Sequence, residues 1–263
     1  MAWEPVAEVP ALGESACQVW WACPGEVTPG HLAMLDPAER DRHGRYLRAQ
    51  DRDRFAAGVA MTRLVLAALT GLEPGRVPLD RSCATCGKPH GPPRLTGFPQ
   101  YRRLGLSISH SGDRVVLAIA AGGAVGVDVE LPGPSVDIAA VASYVLAAEE
   151  LALLRQLPPP EQPAGFASYW VRKEAVVKAT GDGLRARLAG LVVSDPMAGP
   201  RLLRWDERPD VPGRVTLRTL SPGGGYAACV ALLDQRAAAV SELSGSALLQ
   251  AWGQRAAPAR PRP

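Results

Sequence analysis

Asp128, Glu130, Glu174 and Lys178 are the side chains whose types and spacing raise a chemical question. In Val125-Gly126-Val127-Asp128-Val129-Glu130-Leu131 the two-residue period of an extended strand sends the valines to one face and Asp128 with Glu130 to the other. Two like charges so placed repel, and the arrangement is comfortable only when a cation sits between them or water screens both. Hard oxygen ligands of this kind suit magnesium, which keeps part of its water shell and commonly shares substrate phosphates. For a lone D-x-E, a solvated strand face is the ordinary alternative. In Trp170-Val171-Arg172-Lys173-Glu174-Ala175-Val176-Val177-Lys178, Trp170, Glu174 and Lys178 are spaced by four and share a helix face. A glutamate four residues before a lysine is also a routine helix-stabilising pair. What favours chemistry is a third carboxylate and an ammonium in the same half of the chain as the strand pair, enough to hold a metal and a phosphate together.

Further groups could bind anions. Ser107-Ile108-Ser109-His110-Ser111-Gly112 places a histidine and small hydroxyls at an expected hairpin turn, a phosphate cradle on one reading and a polar hairpin tip on the other. As a nucleophilic Ser–His pair it is weak, because adjacent residues seldom point at one another and no orienting acid is evident. Arg40, Arg42, Arg45, Arg48, Arg52 and Arg54 bring guanidinium forks that fit phosphate oxygens, although Asp41, Asp51 and Asp53 can pair with part of them on a solvated helix. Cys83-x-x-Cys86 is followed by His90, but no second nearby pair completes a four-ligand zinc site, and no thioredoxin-like context surrounds it. A tight loop with two thiols is expected there, with zinc as the alternative.

The elements that must position these groups can be read from periodicity and caps. Asp36-Pro37-Ala38-Glu39 reads as a capping box opening a helix to about Leu47. A longer helix runs from Asp51, through Phe55, Val59, Leu66 and Leu69, to Thr70-Gly71. Leu104 to Ser109 and Val115 to Ala120 read as a hairpin turning at His110-Ser111-Gly112-Asp113, and Val125 to Leu131 as a third strand. Several features recur about 111 residues later: Phe55-Ala56 at Phe166-Ala167, and the hairpin between Val215 to Leu220 and Tyr226 to Leu233. Val19 to Gly25 aligns with Val127 to Gly133, which puts Trp20 and Ala22 in the places of Asp128 and Glu130. The implied fold is α+β, with pseudo-symmetric halves at 1–120 and 121–234 and one asymmetric site between them. Residues 235–263 form a C-terminal extension with an amphipathic stretch from Ser241 to Trp252 and a partly disordered, proline- and arginine-rich end.

Composition narrows the class. At 263 residues and 47% hydrophobic content the chain can bury a sizeable core. A net charge of +3 implies no blanket affinity for nucleic acid. The start of the chain lacks a secretory pattern, and no apolar run is long enough to span a membrane. Cysteines at 17, 23, 83, 86 and 229 are too sparse for a disulfide framework. A cytoplasmic protein, bound to neither membrane nor nucleic acid, is the expectation.

Taken in order, Gly87-Lys88-Pro89, Ser107-Ile108-Ser109-His110-Ser111, Val125-Gly126-Val127-Asp128-Val129-Glu130, Trp170-Val171-Arg172-Lys173-Glu174-Ala175-Val176-Val177-Lys178 and Gly183-Leu184 resemble the motifs of the Sfp-type 4'-phosphopantetheinyl transferases, over about residues 36–190. The resemblance implies two pseudo-symmetric α+β halves and transfer of the phosphopantetheine arm of coenzyme A to a serine of an apo acyl, polyketide or peptidyl carrier protein, in fatty-acid or secondary metabolism. It implies magnesium, with manganese able to replace it, held by Asp128, Glu130 and Glu174. Lys178 and His110 look like phosphate-binding residues, which with Glu174 form the catalytic set; Lys88 and Ser109 would line the same pocket, with Arg48 and Arg54 toward the nucleotide. A site made within one chain allows a monomer. Val129, between the carboxylates, offers no ligand, and Leu146 replaces the small hydroxyl residue expected before Ala147-Ala148-Glu149, which bears on a helix cap. Two rival readings are a metal-dependent nuclease, whose E-x-K pair sits on a strand rather than a helix, and a zinc-ribbon or arginine-rich nucleic-acid-binding module. Neither accounts for the carboxylate strand, the helix and the His110 segment together.

Overall fold

Strand alternation and helix capping set the element boundaries in a computed structural model that describes residues 3–6, 8–83, 86–88, 91–133, 137–235 and 239–256. In the first half these elements are β1 (Ala16–Ala22), α1 (Pro29–Ala33), α2 (Pro37–Arg45), α3 (Ala49–Thr70), β2 (Leu79–Asp80), β3 (Arg94–Leu95), β4 (Gly105–Ser111) and β5 (Arg114–Ala120). The second half holds β6 (Val125–Glu130), α4 (Ile138–Val145), α5 (Ala148–Gln156), α6 (Gln162–Thr180), β7 (Leu191–Val193), β8 (Leu202–Trp205), β9 (Val215–Thr219) and β10 (Ala227–Leu233). Two more elements, β11 (Ala239–Ser244) and α7 (Gly245–Ala256), follow.

The same order appears twice. β1-β5-β4 forms one antiparallel set and β6-β10-β9 another, and in each the long helix, α3 or α6, intervenes between the first strand and the hairpin. Strand alternation then builds the layers. Trp20, Ala22, Val115, Leu117 and Ile119 pack with Ala57, Met61, Leu64 and Val65 of α3. Their neighbours Val19, Trp21, Val116 and Ala118 meet Val125, Val127, Val129, Val230 and Leu232 of the other sheet. On the far side, Cys229, Ala231 and Leu217 pack with Tyr169, Val176 and Val177 of α6. The two sheets are thus sandwiched between two helices. In the first half Trp20 and Ala22 fill the helix-facing positions that Asp128 and Glu130 occupy in the second, so only one half carries the carboxylates.

Several boundaries differ from the sequence expectation. α3 begins at Ala49, with Arg48 at its N-cap position. β4 runs on to Ser111, so His110 lies in the strand, and the turn is made by Gly112 and Asp113, with Gly112 at φ 54°. Strand alternation therefore turns Ser107, Ser109 and Ser111 to one side and His110 to the other. The extension is not a separate appendage within the described residues. β11 adds to β1 in parallel, and Leu243, Leu248 and Leu249 enter the core of the first half. Glu242 accepts the Trp21 indole N–H at 2.8 Å and the Ser221 N–H at 3.0 Å. Residues 257–263 lie outside the described set. At the departure noted beside Leu146, α5 opens at Ala147 without a side-chain cap on its own amides; the Glu150 carboxylate takes the Ala147 N–H at 2.8 Å instead.

Candidate active site

Gly126 is what lets α6 come close to β6. A Cβ at this position would collide with the Ala175 carbonyl and the Ala179 amide of the helix. The close approach brings Lys178, one turn beyond Glu174, over the strand. Its ammonium donates to Asp128 Oδ1 at 2.7 Å, to Ser109 Oγ at 3.0 Å and to the Val127 carbonyl at 3.0 Å. Ser109 in turn donates to Asp128 Oδ1 at 2.7 Å. One step further along, Ser111 donates to Glu130 Oε2 at 2.8 Å. β4 and β6 are the facing edges of the two halves, and hydroxyls rather than a backbone ladder join them here: Ser107 Oγ also accepts the Val127 N–H at 3.0 Å.

Among the described residues Lys178 is the only cation bonded directly to these carboxylates, and its charge does not match theirs. Asp128 is 3% exposed, and its Oδ2 is buried without a hydrogen-bond partner. Burial pushes the Glu174 carboxyl above its ordinary range, with the Asp128 charge adding to the rise and Lys178 opposing it. Glu130 is likewise raised, first by burial and further by Asp128 and Glu174, against the Ser111 hydrogen bond and Lys178. Among the described residues no three His, Cys, Asp or Glu side chains converge tightly enough to enclose a metal ion. The orphaned oxygen of Asp128 and the mutual repulsion of three hard-oxygen donors nevertheless fit a divalent cation of the magnesium type.

A cleft of about 370 Å³ opens beside this junction, lined by Arg42, Tyr46, Arg54, Arg81, His110 and Lys178 among others. Arg54 is fixed by the Gly112 carbonyl at 2.6 Å and by Asp51 at 2.8 Å. His110 is exposed at the mouth, yet the walls around its ring lower its pKa by desolvation, and the Arg54 and Lys178 charges lower it further. A larger depression of about 1260 Å³, bordered by Arg102, Arg103 and Arg214, lies elsewhere and contains none of the sequence-derived site residues.

The structure brings together Asp128, Glu130, Glu174, Lys178 and Ser109, and places His110 and Arg54 on the adjoining cleft. It does not bring in Arg48 or Lys88. Arg48 is exposed outside the cleft, because the chain turns there into α3; Lys88 is exposed in the loop after Cys83. Ser109 does not line the cleft itself; its hydroxyl is bonded to Asp128 and Lys178. Pro89 and His90 lie outside the described residues. Around them Cys83 N–H donates to the Lys88 carbonyl at 2.9 Å, and Gly87 N–H donates to the Cys83 carbonyl at 2.8 Å, closing a tight turn. Arg42, one of the arginines grouped as phosphate-fitting, lines the cleft, whereas sequence reasoning missed Tyr46 and Arg81. Arg81 carries buried Nε and Nη2 groups without hydrogen bonds, 3.7 Å from Glu39 at the nearest ion-pair contact, and only its charge beside the cysteine loop could have signalled it.

A half-buried strand–helix carboxylate cluster with a lysine thus stands beside a cationic cleft between two like halves. A profile of the 4'-phosphopantetheinyl transferase superfamily matches residues 124–231. The chain is 34% identical over 154 residues to the 4'-phosphopantetheinyl transferase HetI of Nostoc sp. (strain PCC 7120 / SAG 25.82 / UTEX 2576), a match covering 58% of this chain and 62% of HetI. To the 4'-phosphopantetheinyl transferase AcpT of Escherichia coli (strain K12) it is 30% identical over 157 residues, covering 60% of this chain and 71% of AcpT. A solved structure described as a Chronobacterium ammoniagenes ACPS-CoA complex is 20% identical, with a TM-score of 0.30 and coverage of 41% of this chain and 96% of that one. The chain belongs to the 4'-phosphopantetheinyl transferase superfamily.

Proposed function

We propose that the chain transfers the 4'-phosphopantetheine arm of coenzyme A to a serine of an apo acyl, polyketide or peptidyl carrier protein, using magnesium. The observation that carries this reading is the junction of Lys178, Asp128 and Ser109 at the wall of a cleft lined with arginines. An anionic dinucleotide-like substrate suits that cleft, with Arg54, Arg42 and His110 toward its phosphates and Lys178 at the inner end.

Magnesium, held by Asp128, Glu130 and Glu174, would supply charge neutralisation and Lewis acidity at the pyrophosphate. The carrier serine Oγ attacks the phosphorus bonded to the pantetheine oxygen. The bond from that phosphorus to the bridging pyrophosphate oxygen breaks, and adenosine 3',5'-bisphosphate leaves. Glu174 accepts the serine proton, a role served by a carboxylate whose proton affinity is raised. Lys178 and His110 stabilise charge on the phosphate oxygens through hydrogen bonds that strengthen as the leaving group departs. Because both halves of one chain build the site, a monomer is the working form, and sparse cysteines support a cytoplasmic setting.

Calorimetric titration with coenzyme A, with and without magnesium, tests the binding half of the reading. Micromolar or tighter binding that weakens sharply in Lys178→Met supports it. Absence of coenzyme A binding by folded protein would remove it.

A further inference from the structure

We propose that Ser111 is a positioning residue that holds Glu130 ready for the metal, its hydroxyl proton locked in one direction by the backbone amide of Leu131. The proposal rests on the reading of Asp128, Glu130 and Glu174 as metal carboxylates and adds to it a residue that touches neither metal nor substrate.

Ser111 Oγ accepts the Leu131 N–H at 3.2 Å and lies 2.8 Å from Glu130 Oε2. A hydroxyl has one proton and two lone pairs, an amide N–H can only donate, and an ionised carboxylate can only accept. With a lone pair occupied by Leu131, the Ser111 proton is committed to Glu130. The direction of the bond follows from the chemistry of its neighbours.

The device is repeated two residues earlier on the same face of β4. Ser109 Oγ accepts from the Lys178 ammonium and gives its proton to Asp128 Oδ1. Ser107 Oγ accepts the Val127 N–H. The three hydroxyls therefore form a ruler along β4, whose spacing matches the donors and carboxylates of β6. On Asp128 the consequence is visible: Oδ1 is tied by Ser109 and Lys178, and Oδ2 is left buried without a partner. On Glu130 the Ser111 bond likewise ties one oxygen of a side chain with three rotatable bonds, so its orientation is settled before any cation arrives.

A purely structural role, as a stitch between the two halves, makes a different forecast from a positioning role, because it affects folding and not metal affinity. The test is Mn²⁺ binding to the full chain in the presence of coenzyme A, followed by the electron paramagnetic resonance of free Mn²⁺, for wild type, Ser111→Ala, Ser111→Thr and Glu130→Gln. Magnesium dependence of transfer and the metal-free unfolding midpoint are measured alongside. Ser111→Ala is expected to weaken Mn²⁺ binding about 10- to 100-fold, the range found for groups that orient metal ligands. Transfer should then recover at raised magnesium, and Ser111→Thr, which keeps the hydroxyl, should restore affinity. Wild-type Mn²⁺ affinity in Ser111→Ala overturns the proposal, as does equal weakening by Ala and Thr, which would point to packing. If wild type fails to bind Mn²⁺, or Glu130→Gln binds it like wild type, the assignment of the metal carboxylates falls first and this inference with it.

Discussion

Lys178 Nζ and Asp128 Oδ1 stand 2.7 Å apart, joining the last turns of α6 to the middle of β6. The Asp128 side chain is 4% exposed and that of Lys178 29% exposed, so the pair is formed largely away from water. Removing the ammonium leaves a buried carboxylate supported by Ser109 alone. Lys178→Met, which keeps the apolar stem, should cost about 2 kcal/mol in urea unfolding, and adding Asp128→Asn should return part of that loss. Equal stability of wild type and Lys178→Met would show that the pair contributes nothing to the fold.

Gly126 allows this contact by admitting the backbone of α6. Gly126→Ala should destabilise the protein by about 3 kcal/mol and displace Lys178 from Asp128, because the obstructing atoms are main chain and have no rotamer to change. Thermal and urea unfolding measure it. A variant as stable as wild type would mean that the helix can move outward without cost.

His31 links α1 to α7 and gives stability a pH dependence. Its Nδ1 accepts the Thr28 N–H at 2.9 Å, and its Nε2 donates to the Leu249 carbonyl at 3.1 Å, an arrangement that requires the neutral ring. Burial lowers its pKa, so the folded state resists protonation more than the unfolded chain does. The contribution is fully present above the ordinary histidine value of about 6.5 and is lost as pH falls from there through the lowered folded pKa. Urea midpoints should decline across that window, and His31→Gln should flatten the decline. His110, lowered in the same sense, is a further contributor to be separated by its own variant.

Removal of residues after Gln235 should abolish folding. It uncovers the edge of β1 and takes away Leu243, Leu248 and Leu249, whose burial is worth on the order of 6 kcal/mol, comparable to the whole stability of a domain. Circular dichroism of the truncated chain tests this, and a cooperative native-like melt would contradict it.

The local rules of the sequence went furthest where a single period governs the outcome. A period of two put Asp128 and Glu130 on one face of β6, and a period of four aligned Glu174 with Lys178, because neither depends on a distant partner. The capping box at Asp36 and the helix stop at Gly71 are equally local. What was not legible depends on tertiary approach. The hydroxyl seam requires β4 to lie beside β6, and the place of Arg81 requires its loop to fold back against Glu39. Arg48 and Lys88 were grouped with the phosphate binders by charge and motif alone, and charge says nothing of which way a loop faces. His110 was assigned to a turn since Gly112 follows so soon, but pairing with Val115 carries the strand through it. The place of the extension was not legible because its partner, β1, lies more than two hundred residues away.

The central claim is tested most directly by intact-mass spectrometry of apo carrier proteins incubated with the full chain, coenzyme A and magnesium, with EDTA and Glu174→Gln as controls. The account predicts a mass gain of one phosphopantetheine on the carrier serine, absent in both controls although Glu174→Gln remains folded. A folded Glu174→Gln variant that transfers at the wild-type rate would contradict the role given to Glu174. Failure of the wild type to modify any apo acyl, polyketide or peptidyl carrier protein would contradict the proposed reaction itself.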